Sequence, residues 1–135
     1  GCPSNPHGVI DAPIGRDHRD PMKMAVVVDG KTARTRYEVL DSYRAPAHVT
    51  ELECLLETGR THQIRVHMSA VRHPCVGDLT YGADPVLAAR LGLQRQWLHA
   101  ECLAFEHPAS GEPVEFHSAL PADLEQALEI LRAAG

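Results

Sequence analysis

The stretch from Glu51 to Arg72 constrains this chain most, because its apolar period changes halfway along. Before Gly59, Leu52, Cys54 and Leu56 alternate with Glu51, Glu53 and Glu57, with Leu55 interrupting, which is the pattern of a half-buried strand. After it, Ile64, His67, Met68 and Val71 recur at helical spacing and are expected to face a core, with Thr61, Arg65, Ser69 and Arg72 on the other side. The segment therefore predicts a strand, a tight glycine turn and a helix, with Arg65 one turn inside the helix. A cation held on regular structure can be aimed better than one on a loop. Thr58 and Thr61 are both acceptable N-caps, and the helix should end before Pro74.

The flanks read as further strands and helices. Gly8–Ile14 is a short strand stopped by Pro13, after which Ile14–Asp17 turns into a charged loop. Met22–Val28 and Lys31–Leu40 read as two strands joined at Asp29-Gly30, a strong hairpin signal. On the second of these, Arg34 and Arg36 share one face and Thr35, Tyr37 and Val39 the other. Val49–Leu56 is the next strand. Pro85–Leu91 is a short helix ended by Gly92. Trp97–Phe105 and Glu112–His117 are strands around a turn at His107–Gly111, and Pro121–Ala133 is an amphipathic helix with Leu124, Leu128 and Leu131 on one stripe. Hairpin-joined strands with interspersed helices imply an α+β fold with a mainly antiparallel (mixed) sheet. The length of 135 residues suits one domain with one core.

The four cysteines are widely spaced and form no CxxC pair; Cys54, Cys75 and Cys102 sit among apolar neighbours and read as buried free thiols. That usage and the lack of any membrane-length apolar run suggest a cytoplasmic protein with no membrane partner. The net charge of −5 argues mildly against nucleic acid, but it is uneven: residues 16–72 balance at +2 and residues 73–135 at −6. Several short matches fail on context. His18-Arg19-Asp20 lacks the rest of a kinase site, and His99-Ala100-Glu101 lacks the following P-C-x-x-C of a zinc deaminase. His62 and His67, five apart, fall on different sides of a helix. His67 and His99 read as hydrogen-bonded core residues, and no metal is expected.

The run Thr58-Gly59-Arg60-Thr61-His62-Gln63-Ile64-Arg65 followed by His67 resembles the most diagnostic segment of large-subunit ribosomal RNA pseudouridine synthases of the RluA/RluD type. Further segments are similar to that family in the same order. They are Gly8–Arg16, the Gly30–Val39 hairpin, His73–Gly82 (h-P-x-x-G-D-x-x-Y-G), Arg95–Ala100 (R-Q-x-L-H-A) and Phe105–Pro108. The resemblance implies isomerisation of specific uridines in RNA, ribosomal RNA foremost, by an aspartate nucleophile and without cofactor. The family's H-R-L-D-x-x-T-S-G nucleophile segment has no match here.

Residues 1–135 are accordingly expected to be the C-terminal portion of a catalytic domain, inactive alone, with the nucleophile segment and any RNA-binding domain upstream. The alternative is a catalytically inactive RNA-binding module on the same fold. By resemblance Arg65 is the catalytic residue, paired with an aspartate outside this chain, where a fixed cation keeps a carboxylate ionised. Leu98 would pack against uracil. Arg60, Thr61 and His62, with the amides near Gly59, could hold phosphate at the helix start, and Lys31, Arg34 and Arg36 could track RNA backbone. Truncation could also leave a sheet edge that favours self-association.

Overall fold

Pro13 divides the N-terminal strand candidate into two strands that join different sheets. Strand β1 (His7–Asp11) lies against β4 (Arg34–Tyr43), which pairs in turn with β5 (Val49–Leu56), all antiparallel, in the order β1-β4-β5. Strand β2 (Ile14–Arg16) turns away and pairs with β3 (Met24–Val26). The computed structural model describes residues 1–106 and 108–134, and for residues 103–106 the backbone alone. Helix α1 (Gln63–Ala70) follows β5; a 3-10 turn at Leu79–Tyr81 leads to α2 (Pro85–Arg90); β6 (Cys102–Glu106) and β7 (Pro113–His117) form a third antiparallel sheet; α3 (Ala122–Ala134) closes the order. The α+β class with antiparallel pairing is as the sequence predicts.

Two strand expectations change. Asp29-Gly30 does turn, with the Gly30 amide donating to Val27 O at 3.0 Å, but its flanks do not pair with each other. β3 pairs with β2, and β4 with β1 and β5. The reason is the crossing at Ile14: a Cβ on Gly30 would lie 2.6 Å from the Ile14 carbonyl carbon, so Gly30 is where that strand passes over the turn. Ile14–Arg16, expected as loop, is therefore strand. The strand expected over Trp97–Phe105 narrows to one beginning at Cys102, and the turn expected at His107–Gly111 includes His107, outside the described residues.

Apolar burial forms two clusters rather than one core. The larger joins Tyr43 and Val49 to Ala88, Leu91, Leu93 and the α3 stripe, where Leu124, Leu128 and Leu131 are buried as their spacing predicts. The smaller is Ile14, Ala33 and Val66, with Met24 and Tyr81 against it. The thiols are all free; Cys54 and Cys75 are half-buried, and burial pushes Cys75 up to about 12, whereas Cys102 is exposed rather than buried. His99 is not a core residue either: its Nε2 lies 3.0 Å from Ser118 O at the surface.

Helix α1 buries Gln63, Val66, His67 and Met68, a stripe offset by one residue from the expected Ile64, His67, Met68 and Val71. Val71 lies past the helix end and is exposed. The offset follows from a polar chain that must be inside. Gln63 Nε2 donates to Thr35 Oγ1 at 3.0 Å, and Thr35 Oγ1 lies 2.8 Å from His67 Nδ1. His67 Nε2 lies 2.9 Å from Ala12 O, a carbonyl that can only accept, so Nε2 carries the proton and Nδ1 accepts from Thr35. Gln63 Oε1 accepts from Thr58 Oγ1 and the Arg60 amide, and its Nε2 also reaches Arg34 O. Every side-chain polar atom of Thr35, Gln63 and His67 has a partner, and Thr35 and His67 are fully buried.

Thr35→Val keeps the shape but leaves a Gln63 N–H and His67 Nδ1 without partners. It should lower unfolding stability by about 2–4 kcal/mol, read as a shift in the urea midpoint at constant slope.

Candidate active site

The turn between β5 and α1 is built without a threonine cap. His62 stands at the N-cap with φ of 54°, and no side chain caps the helix there. Gln63 replaces the expected Thr58 or Thr61: its carboxamide takes the Arg60 amide and the Thr58 hydroxyl, so the turn is tied down from inside. The Arg60 amide is thereby occupied. The Arg60 guanidinium folds back, Nε donating to Thr32 O at 2.8 Å, beside exposed Lys31. Thr61 is exposed. His62 Nδ1 lies 2.9 Å from the Tyr81 hydroxyl, which also accepts from the Met24 amide at 3.1 Å.

Arg65 is held on both of its surfaces. Its Nε and Nη2 donate to Oδ2 and Oδ1 of Asp78, each at 2.9 Å, in the fork geometry that matches a carboxylate. Its Cζ lies 4.9 Å from the centre of the Tyr81 ring. The Asp78 side chain is 1% exposed and that of Arg65 14%, so the ion pair is nearly dry. The Asp78 hydrogen bond raises the Arg65 pKa above its ordinary value, and the guanidinium stays charged at any working pH. Nη1 donates to none of the described residues. The resemblance implied an acidic partner outside the chain; the structure shows one already inside it, contributed by the Gly/Pro-rich loop after α1.

An open cavity of about 360 Å³ lies beside this pair, walled by Leu56, Ile64, Arg65 and Leu98, with Arg60 and His62 also lining it. Leu98 reaches it because the segment 95–98 packs backbone to backbone on the 75–78 loop. The Trp97 amide donates to Val76 O at 2.7 Å, and a Cβ on Gly77 would lie 2.2 Å from Arg95 O. Gly77 also has φ of 86°, so two independent constraints require glycine there. Trp97 Nε1 bonds Leu124 O, and the Arg95–Asp123 pair at 2.8 Å ties the same segment to α3.

The structure thus gathers Arg60, His62, Arg65 and Leu98 at one cavity, with Lys31 on the neighbouring loop. It does not gather Arg34 and Arg36. They alternate with Thr35, which faces α1, and so point to the opposite side of the sheet. There Arg34 is clamped between Asp11 and Glu57, both at 2.9 Å, and Arg36 lies 3.3 Å from Glu57. Sequence reasoning missed Gln63, Asp78 and Tyr81 as site residues. All three lie inside quoted motifs, and Asp78 beside an arginine-bearing helix was the available signal.

A family model described as RNA pseudouridylate synthase matches residues 2–70. An uncharacterised RNA pseudouridine synthase of Mycobacterium bovis is 55% identical over 135 residues, covering 100% of this chain and 43% of the relative. A ribosomal large subunit pseudouridine synthase D of Xanthomonas campestris is 48% identical over 134 residues, covering 93% of this chain and 40% of the relative. Among solved structures, human RNA pseudouridylate synthase domain containing 1 superposes with a TM-score of 0.74 at 31% identity, over 98% of this chain and 62% of that one. The chain belongs to the RNA pseudouridylate synthase family. It spans about two fifths of the length of these curated relatives. No helix among the described residues is long and apolar enough to cross a membrane.

Gly77→Ala should push the 95–98 segment off its loop, destabilising the fold by at least about 2 kcal/mol. Trp97 is the chain's single tryptophan, so its emission should shift to the red and quench more readily with acrylamide.

Proposed function

We propose that this chain supplies the arginine-bearing wall of the uridine pocket in an RNA pseudouridine synthase. The reaction detaches uracil from its ribose and rejoins it through carbon, and ribosomal RNA is the substrate class that relatives named for the large ribosomal subunit favour. Residues 1–135 form one portion of a catalytic domain, and the aspartate nucleophile comes from sequence outside them. One observation carries this reading: a nearly buried guanidinium, locked on one edge by Asp78, faces a cavity with Nη1 still unbonded among the described residues.

Chemically, the free edge of Arg65 can donate to a second carboxylate. That contact keeps the incoming acid ionised and points one oxygen at the sugar. Because Asp78 already balances the charge, the pair presents a directed donor rather than a bare cation. The second acid is oriented with less depression of its basicity than a lone arginine would cause, and Asp78 acts here as a positioning residue. Leu56, Ile64 and Leu98 offer an apolar surface for a base taken out of its stack. Arg60, His62 and Lys31 lie where RNA backbone would enter, with Thr61 exposed at the same turn. Arg34 and Arg36, neutralised on the far face, contribute little to it.

Strand β5 is the outer strand of its sheet and carries exposed Leu55 and Leu56. This supports self-association of the isolated chain along that edge.

Tritium release from uridine-labelled ribosomal RNA tests the assignment. The chain alone should give none while still binding RNA with salt-dependent affinity. In a longer polypeptide that includes the nucleophile, Arg65→Met should lower kcat by about 10²–10³-fold. Asp78→Asn should lower it by roughly 10-fold or more and shift the acidic limb of the pH–rate profile downward. Turnover by the chain alone, or an Arg65→Met enzyme with normal kcat, would overturn it.

A further inference from the structure

Strands β6 and β7 form a sheet of their own, with no third strand among the described residues. A lone two-stranded hairpin is marginally stable in water. Its register sets three metal-ligating side chains on one face: Cys102 stands directly opposite His117, and Glu115 precedes His117 by two residues. Cys102 Sγ donates to Glu115 Oε1 at 3.3 Å, and His117 Nε2 lies 3.1 Å from that same oxygen. The three ligand atoms lie within 4.8 Å of one another, and all three residues are exposed.

A tetrahedral Zn²⁺ with bonds of about 2.0–2.3 Å places neighbouring N, O and S ligands roughly 3.3–3.6 Å apart. The spacings from Glu115 Oε1, 3.3 Å to the sulfur and 3.1 Å to the imidazole nitrogen, are within a few tenths of an ångström of these values, and the exposed Cys102 and His117 side chains would close the remaining distance between them. We propose that Cys102, Glu115 and His117 form a Zn²⁺ site that clips β6 to β7, with a fourth position open to water. The donor set is selective: one sulfur and one imidazole nitrogen disfavour Mg²⁺ and Ca²⁺, which take oxygen ligands. The hydrogen bond to Glu115 holds the Cys102 thiol above its ordinary value, and the charges of Glu115 and Glu101 act in the same direction. In the metal-free site the thiol keeps its proton and donates it to Glu115 Oε1. On binding, that proton goes to the buffer, the sulfur bonds the metal as thiolate, and nothing is oxidised or reduced. Nε2 of His117 then exchanges its contact with Glu115 for the ion, so in the bound state the neutral ring carries its proton on Nδ1. The linear spacing gives no hint of this, since Glu115 and His117 lie thirteen and fifteen positions after Cys102 and only the strand register joins them. The site is separate from the Arg65 cavity and stands independently of the uridine chemistry.

Titration of the chain with Co²⁺ and Zn²⁺ alone decides the matter. One equivalent of Co²⁺ should give a thiolate-to-metal charge-transfer band, and Zn²⁺ should displace it and slow amide exchange across β6 and β7. Cys102→Ser should abolish the band, and His117→Ala should weaken Zn²⁺ binding by about tenfold or more. Cys2→Ser, which alters the other exposed thiol, should leave both unchanged. All three positions are at the surface, so the variants should fold, as far-ultraviolet circular dichroism would show. No band at one equivalent, or a band that survives Cys102→Ser, would reduce the cluster to a hydrogen-bonded trio and overturn the site.

Discussion

The hydroxyl of Thr35 is the joint on which this fold turns. It accepts from Gln63 and lies against His67, two residues one helical turn apart, and so fixes the rotation of α1 about its own axis. Through His67 the same chain reaches the Ala12 carbonyl, where β1 gives way to β2, and through Gln63 it reaches the turn after β5. Three segments far apart in sequence are thereby set in register by directional bonds. An apolar stripe alone would tolerate rotation by tens of degrees; a saturated polar chain in a dry interior does not. The aim of Arg65 is inherited from this, since it sits on the same helix between the two anchors.

Charge is distributed to similar effect. The two faces of the main sheet treat arginine differently. On the outer face Arg34 and Arg36 are absorbed by Asp11 and Glu57 in solvent, where such pairs contribute little to stability. On the inner side Arg65 and Asp78 are nearly dry, and removing either would strand the other at high cost. A buried pair is weak evidence for stability as such, because apolar residues of similar volume would serve as well. Its position beside a cavity is what the proposed role of Arg65 as a fixed donor rests on.

Elements with a long, regular period were legible from the sequence. The α3 stripe of Leu124, Leu128 and Leu131 and the Pro85 start of α2 needed no tertiary information, and the structure adds Asp84 as the cap that accepts from the Val86 amide. Arg65 and Leu98 were placed by family resemblance and meet at one cavity. What failed did so for specific reasons. Asp29-Gly30 has strong hairpin chemistry, but the crossing of Ile14 over Gly30 sends its two flanks to different sheets. The stripe on α1 was misread because Gln63 and His67 are buried polar residues, which a hydrophobicity pattern cannot distinguish from exposed ones. Asp78 was seen as part of a loop motif; its partner lies thirteen residues away, and only the folded loop brings them together.

The separation of apolar burial into two clusters has its own consequence. The segment 95–98 carries Trp97 against the larger cluster and Leu98 to the wall of the cavity, while Arg65 stacks on Tyr81, which packs against the smaller. Loosening of the C-terminal half would therefore act on the Leu98 wall directly, and on Asp78 only through Val76, two residues before it, which packs against the same larger cluster. On the function proposed above, such damage would act on the apolar wall offered to a base more directly than on the fixed donor beside it.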